Sequence, residues 1–449
     1  MLNFIAFNIY GSAADAQHRA IGSQPSIATP SAECPATQRF NPRMGICMPN
    51  AKIPRATSPS EKAASPNSSP AEPPSKKSKT TANPDQSAMS MPMSEGAKSD
   101  NGVMVRLNQF MLYSRTSGPR GQSRLTGPGM WMLMYDEDLS SRNHLSIDVM
   151  GTPEHLTVGD KGTPQLLQTE NIDAMHPHDY IMALEFRDSL TLNADKKERL
   201  TFLFAPRGEA AFGPVPFMHR ISAEGNPDAP LGHSLQDGFH DVSTVLGIGY
   251  QLAGTTIETT VFSGKDIVWP LPMHSPDSYA VRVNQKVDNH LSFGASYADA
   301  LLPEDAGRAE HSQFVAAWLT ASYSVGTGTL KSSLIWGQGR PTHGAAQNSF
   351  LEEALYQLGP NKFYGRAELL QILPDNLDLA VPNGGAVLKW AGALTLGYER
   401  TLFEKSGLSL FVGSSYTKDF IPAEFTHAYG NDPAGAKVYA RVAFVGRSH

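Results

Sequence analysis

Tyr279-Ala280-Val281-Arg282-Val283-Asn284-Gln285-Lys286, then Val287-Asp288-Asn289-His290, then Leu291-Ser292-Phe293-Gly294-Ala295-Ser296-Tyr297: the fold turns on how this stretch is read. Successive residues of an extended chain point to opposite faces. Tyr279, Val281 and Val283 therefore share one face, and Arg282, Asn284 and Lys286 share the other. Asp288-Asn289 is a turn signal. Beyond it Leu291, Phe293, Ala295 and Tyr297 lie opposite Ser292, Gly294 and Ser296. The stretch predicts a hairpin with one greasy and one polar face.

The same zigzag recurs outward from it in both directions. Val315, Ala317, Leu319, Ala321 and Tyr323 alternate with Ala316, Trp318, Thr320 and Ser322, and Leu330, Ser332, Leu334 and Trp336 follow Gly326-Thr327-Gly328. Phe363, Gly365, Ala367 and Leu369 oppose Tyr364, Arg366 and Glu368, and Val438, Ala440, Val442 and Phe444 oppose Tyr439, Arg441 and Ala443. Similar segments near 104–113, 128–135, 143–149, 180–192, 199–205, 242–251, 254–262, 349–356, 386–402 and 408–413 bring the total to about 14–16 strands. Two architectures fit. A soluble sandwich or β-helix puts the apolar face inside, whereas a membrane barrel puts it outside. The polar face is rich in Gly, Ser and Thr besides its charges, and Tyr279, Tyr297, Tyr323, Trp336, Tyr398 and Tyr416 fall near strand ends. Both features, with strands of about 9–11 residues, suit an antiparallel up-and-down transmembrane β-barrel over residues 101–449.

Composition narrows the classes further. Charged residues make up 18% of the 449 residues and the net charge is −6, which speaks against a nucleic-acid binder. No apolar run is long enough for a spanning helix, which leaves a strand-built span open. Residues 1–16 carry Leu2, Phe4, Ile5, Phe7 and Ile9 before Ala14-Asp15-Ala16. They read either as a degenerate signal peptide or as an apolar start with no such role. Residues 17–100 are rich in Pro and Ser, with 13 of the 33 prolines in the first hundred residues. They predict a disordered linker. Within it, Met89, Met91 and Met93 offer thioethers that suit Cu(I), or are chance linker methionines. Cys34 and Cys47 permit a disulfide without requiring one.

Chemistry concentrates between 174 and 241, a histidine-rich insert that holds five of the fourteen histidines. Met175-His176-Pro177-His178-Asp179 sets two imidazoles at i, i+2 on an extended backbone, so they project to one side, and Asp179 is placed to orient one of them. His233, Asp237 and His240 fall on one stripe if that segment is helical, although Gly238 weakens the helix. With His219 these residues form a candidate site for copper or zinc. The competing reading is a hydrogen-bonded network of Arg207, Glu209, His219, Arg220, Asp228 and Asp237 that needs no metal. No phosphate loop, dinucleotide fingerprint, H-E-x-x-H or nucleophile elbow is present, no catalytic residue stands out, and a non-enzymatic role is the expectation.

Gly208-Glu209-Ala210-Ala211-Phe212-Gly213-Pro214-Val215-Pro216-Phe217-Met218-His219-Arg220 resembles a family of uncharacterised Gram-negative outer-membrane β-barrel proteins. So do Asn226-Pro227-Asp228-Ala229-Pro230-Leu231-Gly232-His233, Gln236-Asp237-Gly238-Phe239-His240, His176-Pro177-His178-Asp179 and Trp131-Met132-Leu133-Met134. The resemblance runs over roughly 125–445. It implies a place in the outer-membrane lipid and, since such proteins are often associated with copper-resistance systems, a copper-related role. It carries no catalytic residue. The chain departs from the family at Ser234, where a second histidine is expected, and closes on Phe444-Val445-Gly446-Arg447-Ser448-His449 rather than a terminal aromatic. The joint expectation is an outer-membrane barrel that offers a polar channel or platform and handles copper or another metal. A soluble periplasmic metal-binding β protein is the alternative.

Overall fold

The computed structural model describes residues 38–41, 46–49, 101–193, 197–264, 273–303, 309–342, 344–379 and 387–448. The leader-like segment 1–16, Cys34, the Met89–Met93 motif and most of the expected linker lie outside the described residues. In the N-terminal unit, Gln38–Asn41 pairs antiparallel with Ile46–Pro49.

Sixteen strands form the second unit: β1 (Gly102–Thr116), β2 (Gly129–Asp138), β3 (Asn143–Gly151), β4 (Ala183–Thr191), β5 (Glu198–Gly208), β6 (Val242–Leu252), β7 (Thr255–Ser263) and β8 (Ser278–Lys286). Then follow β9 (Leu291–Pro303), β10 (Ala309–Val325), β11 (Gly328–Pro341), β12 (Gln347–Leu358), β13 (Asn361–Ile372), β14 (Lys389–Lys405), β15 (Leu408–Phe420) and β16 (Ala434–Ser448). Each pairs antiparallel with its neighbours, and β16 returns to β1, with Ser448 opposite Val103 and Gly435 opposite Thr116. A short strand, Ser123–Thr126, adds to the Leu112–Arg115 end of β1. Closure excludes the sandwich and the β-helix, and the strand number falls at the upper end of the sequence expectation. The strands run from 9 to 17 residues, longer than the repeat in the sequence suggests.

The predicted faces are observed. Val283, Phe293, Leu319, Leu334, Phe363 and Leu396 point outward and are exposed, while Arg282, Arg366 and Arg441 point inward and are buried. The inner charges are paired by register. Glu258 stands opposite Arg282, and Glu353 opposite Arg366, so acid and base meet on adjacent strands at 2.7 and 3.1 Å. Arg441 grips Glu399 bidentately, at 2.7 Å for Nε and 2.5 Å for Nη2.

The two ends differ. At one end the connections are tight: Ala253-Gly254, Gly326-Thr327, Gly359-Pro360 and Ser406-Gly407 each join two strands. Ser406 and Gly407 both have positive φ, 52° and 81°, which matches the twist of the flanking strands. At the other end most connections are long, and two of them, 152–182 and 209–241, enter the lumen. The histidine-rich stretch is therefore not one insert: β4 and β5 run through its middle.

Candidate functional site

The second insert, 209–241, is fastened to the wall around most of its circumference. Backbone N–H groups of Ala211, Gly213 and Leu231 donate to Thr260 on β7, Ser296 on β9 and Glu368 on β13, at 2.9, 2.8 and 2.6 Å. Arg220 joins Asp237 of the insert at 3.0 Å to Glu353 on β12. Tyr439 on β16 donates to the Gly225 carbonyl at 2.6 Å. Two glycines make room for that reach. A Cβ at Gly413 would lie 2.3 Å from Tyr439 Cζ, and one at Gly397 would lie 2.0 Å from Tyr364 Cζ. On the opposite side the wall offers Ala280, Ala298 and Ala316, against which Phe212, Leu235 and Phe239 pack with Phe262 and Phe314. Phe239 and Phe314 meet edge to face, 5.0 Å apart at 89°. The plug is thus apolar where it faces alanine and ion-paired where it faces arginine and glutamate.

The first insert, 152–182, closes on itself and on the second. Thr152 donates to the His178 carbonyl at 3.1 Å, and Gln165 donates to the Ala229 carbonyl at 2.7 Å. Where the inserts meet, four of the sequence-predicted histidines come together. Ring centroids lie 5.0 Å apart for His176 and His178, 5.8 Å for His178 and His240, 5.3 Å for His240 and His233, and 6.1 Å for His233 and His176. The i, i+2 spacing of His176 and His178 works as expected. The helical stripe does not: the helix holds only His233–Gln236, and Asp237 leaves it at φ −146° ahead of Gly238. His240 returns instead through a tight turn, its Nδ1 donating to the Asp237 carbonyl at 2.8 Å.

The imidazoles are oriented. Nδ1 of His233 meets Asp237 Oδ1 at 3.1 Å, and Nδ1 of His178 meets Glu154 Oε2 at 2.9 Å. With Nδ1 so engaged, Nε2 is the nitrogen left to face a ligand. The Nε2 of His178 is buried without a hydrogen-bond partner. Glu170, which sequence reasoning missed, stands between His176 Nδ1 at 2.9 Å and His233 Nε2 at 3.3 Å. One ligand atom from each of Glu170, His176 and His233 lies within 4.8 Å of the others. Burial disfavours the His233 cation, but Glu170 and Asp237 outweigh it and raise its pKa well above the ordinary range. Burial, then the neighbouring His233 and His178 charges, pushes His240 down to about 3.

The remaining candidates sit elsewhere. Asp179 bonds His155 at 3.1 Å and Arg207 at 2.8 Å, not a member of the cluster. Asp237 is an orienting acceptor that also takes the Phe217 N–H at 3.1 Å and Arg220. His219 stands apart, its Nε2 3.2 Å from Met150 Sδ. Of the alternative network, Arg220 with Asp237 is present, Glu209 pairs with Arg282, and Asp228 with Lys437. The network and the imidazole cluster coexist: Asp237 belongs to both.

The site lies in a closed sixteen-stranded β-barrel with a folded plug. No family model matches the chain, and no curated protein matches it. Among solved structures it is similar to OmpF of Salmonella typhi in complex with daunomycin, at 9% identity, covering 77% of this chain and 98% of that one with a TM-score of 0.48. It is also similar to the anion-selective porin of Comamonas acidovorans, at 12% identity over 76% and 98% of the two chains, TM-score 0.47. A third is a loop L8 deletion mutant of OmpT of Vibrio cholerae, at 9% over 77% and 100%, TM-score 0.46.

Proposed function

We propose that the chain is a bacterial outer-membrane barrel whose plugged lumen gives a polar path or platform for a divalent copper or zinc ion. The outward apolar face supports the membrane placement, because in water such a surface would be an association liability. The asymmetry of the ends supports an orientation. Outer-membrane barrels keep short turns on the periplasmic side and long connections outside, so the inserts enter from the exterior. The longer strands would lift the wall beyond the ~25 Å apolar band.

The observation that carries the metal reading is the imidazole cluster with its Nδ1 atoms held by acceptors and a buried Nε2 left unsatisfied on His178. This donor set fits copper(II) or zinc, which take imidazole and carboxylate together. Glu170, His176 and His233 would hold the ion, with His178 and His240 beside them. The ion is cargo or bound ligand here, and no reaction is assigned to it. Fractionation with heat-modifiable gel migration tests the membrane placement. Titration of the detergent-purified protein with Cu(II) and Zn(II) tests the site. Binding that disappears in a His176→Ala, His233→Ala variant supports it, and no uptake by the parent protein overturns it.

A further inference from the structure

We propose a second site, adjoining the imidazole cluster, in which the thioethers of Met150 and Met218 and the imidazole of His219 take a soft monovalent cation, copper(I) or silver(I). The inference does not require the imidazole cluster to hold a metal. It starts from a cavity of about 50 Å³ lined by Met132, Met134, Met150, Met218, His219 and His240. His219 Nε2 lies 3.2 Å from Met150 Sδ. Sulfur is a weak acceptor, so this contact leaves a nitrogen poorly satisfied, whereas a soft cation would take both atoms as ligands.

Plain packing is the competing account, since methionine fills irregular gaps. Three features argue beyond it. Alternation on β2 turns Met130, Met132 and Met134 to the same inner face, where Met130 and Met132 join Met150, Met182 and Met218 in one cluster. That cluster has charged neighbours, since Arg106, Asp148, Glu185, Arg187 and Glu209 border the same cavity. A histidine is set among the sulfurs. Borderline divalent ions favour imidazole and carboxylate, and thioethers favour copper(I). The two sites therefore select different ions, and His240 borders both.

The test uses the full chain in detergent with Met44→Leu, Met48→Leu, Met89→Leu, Met91→Leu, Met93→Leu, Cys34→Ser and Cys47→Ser, which removes the sulfur ligands of residues 17–100. Silver(I), a redox-inert probe, is titrated against a competing chelator, while the methionine methyl groups are followed by ¹³C NMR. One equivalent of silver should shift the Met150 and Met218 methyl signals. A Met150→Leu, Met218→Leu variant conserves volume and should keep the fold. It should weaken silver binding by about tenfold or more. His176→Ala with His233→Ala should leave silver binding intact. The proposal is overturned if silver does not bind, if the leucine variant binds it as tightly as the parent, or if the His176, His233 variant loses it.

Discussion

Arg366 on β13 donates from Nη1 to the backbone carbonyl of Asp228 at 2.7 Å, tying the barrel wall to the peptide chain of the plug. A wall side chain that bonds backbone holds the insert whatever its own side chains do. The ties of this kind are spread over β7, β9, β13 and β16, so the plug is part of the folded barrel and not a loop resting in it.

Arg220 bridges Asp237 and Glu353, and all three are buried. Arg220→Ala takes one cationic partner from two buried carboxylates, leaving Glu353 to Arg366 and Asp237 to His233, and should cost toward the low end of the about 3–5 kcal/mol for breaking a buried pair. The expected result is a lower temperature for the heat-modifiable gel shift, with a higher conductance in planar bilayers than the parent as the plug loosens. An unchanged transition temperature would contradict this role.

Gly413 and Tyr439 make a graded pair. Tyr439→Phe removes one hydrogen bond to the Gly225 carbonyl and should cost about 1 kcal/mol. Gly413→Ala forces its Cβ into the ring that makes this bond, and overpacking of that kind costs about 1–3 kcal/mol. Urea unfolding midpoints in detergent should rank the two in that order.

Leu396 sits midway along β14, pointing outward and 62% exposed. If lipid covers it, Leu396→Arg should cost about 2–4 kcal/mol on folding into bilayers. An exposed surface substitution in water stays within about 0.5 kcal/mol. Folding titrations into lipid vesicles separate the two, and a neutral result would remove the membrane placement.

Asp237 orients His233 without belonging to the nearest donor set. Asp237→Asn should weaken Cu(II) or Zn(II) binding by about 10–100-fold, the usual effect of losing an orienting acceptor. The comparison is made at temperatures where circular dichroism shows both proteins folded, and equal affinities would separate Asp237 from the metal.

The wall was legible in the sequence because alternation is a local signal. Tyr279 through Tyr297 could be sorted into faces by counting in twos, and Arg282 indeed lies inside while Val283 lies outside. The choice between lipid outside and water outside could not be made from faces alone, since a sandwich has the same period. Closure of β16 onto β1 is a contact across the whole length of the fold and leaves no local trace. In the site, His176 and His178 were visible through their spacing, and His233 and His240 as residues of the same histidine-rich stretch, although the helical stripe that joined them does not form; Glu170 and Glu154 were not visible. Glu170 lies in a turn and Glu154 opens a one-turn helix, and tertiary contacts set the path of both. Asp237 was visible as a residue, but not that the one-turn helix ends at it and gives it to His233 and Arg220 as an acceptor. Met132 and Met134 stand two apart on β2, and only the fold shows that Met150 and Met218 line the same cavity.

The order of the elements along the chain constrains assembly. The plug is translated after five strands, but most of the wall that grips it comes later, and the ring shuts only when β16 reaches β1. The insert therefore has to be corralled during closure, like a stopper around which the neck of a bottle is blown. Refolding should accordingly be slow and governed by the final seam, and a chain lacking β16 should leave the 209–241 segment open to protease.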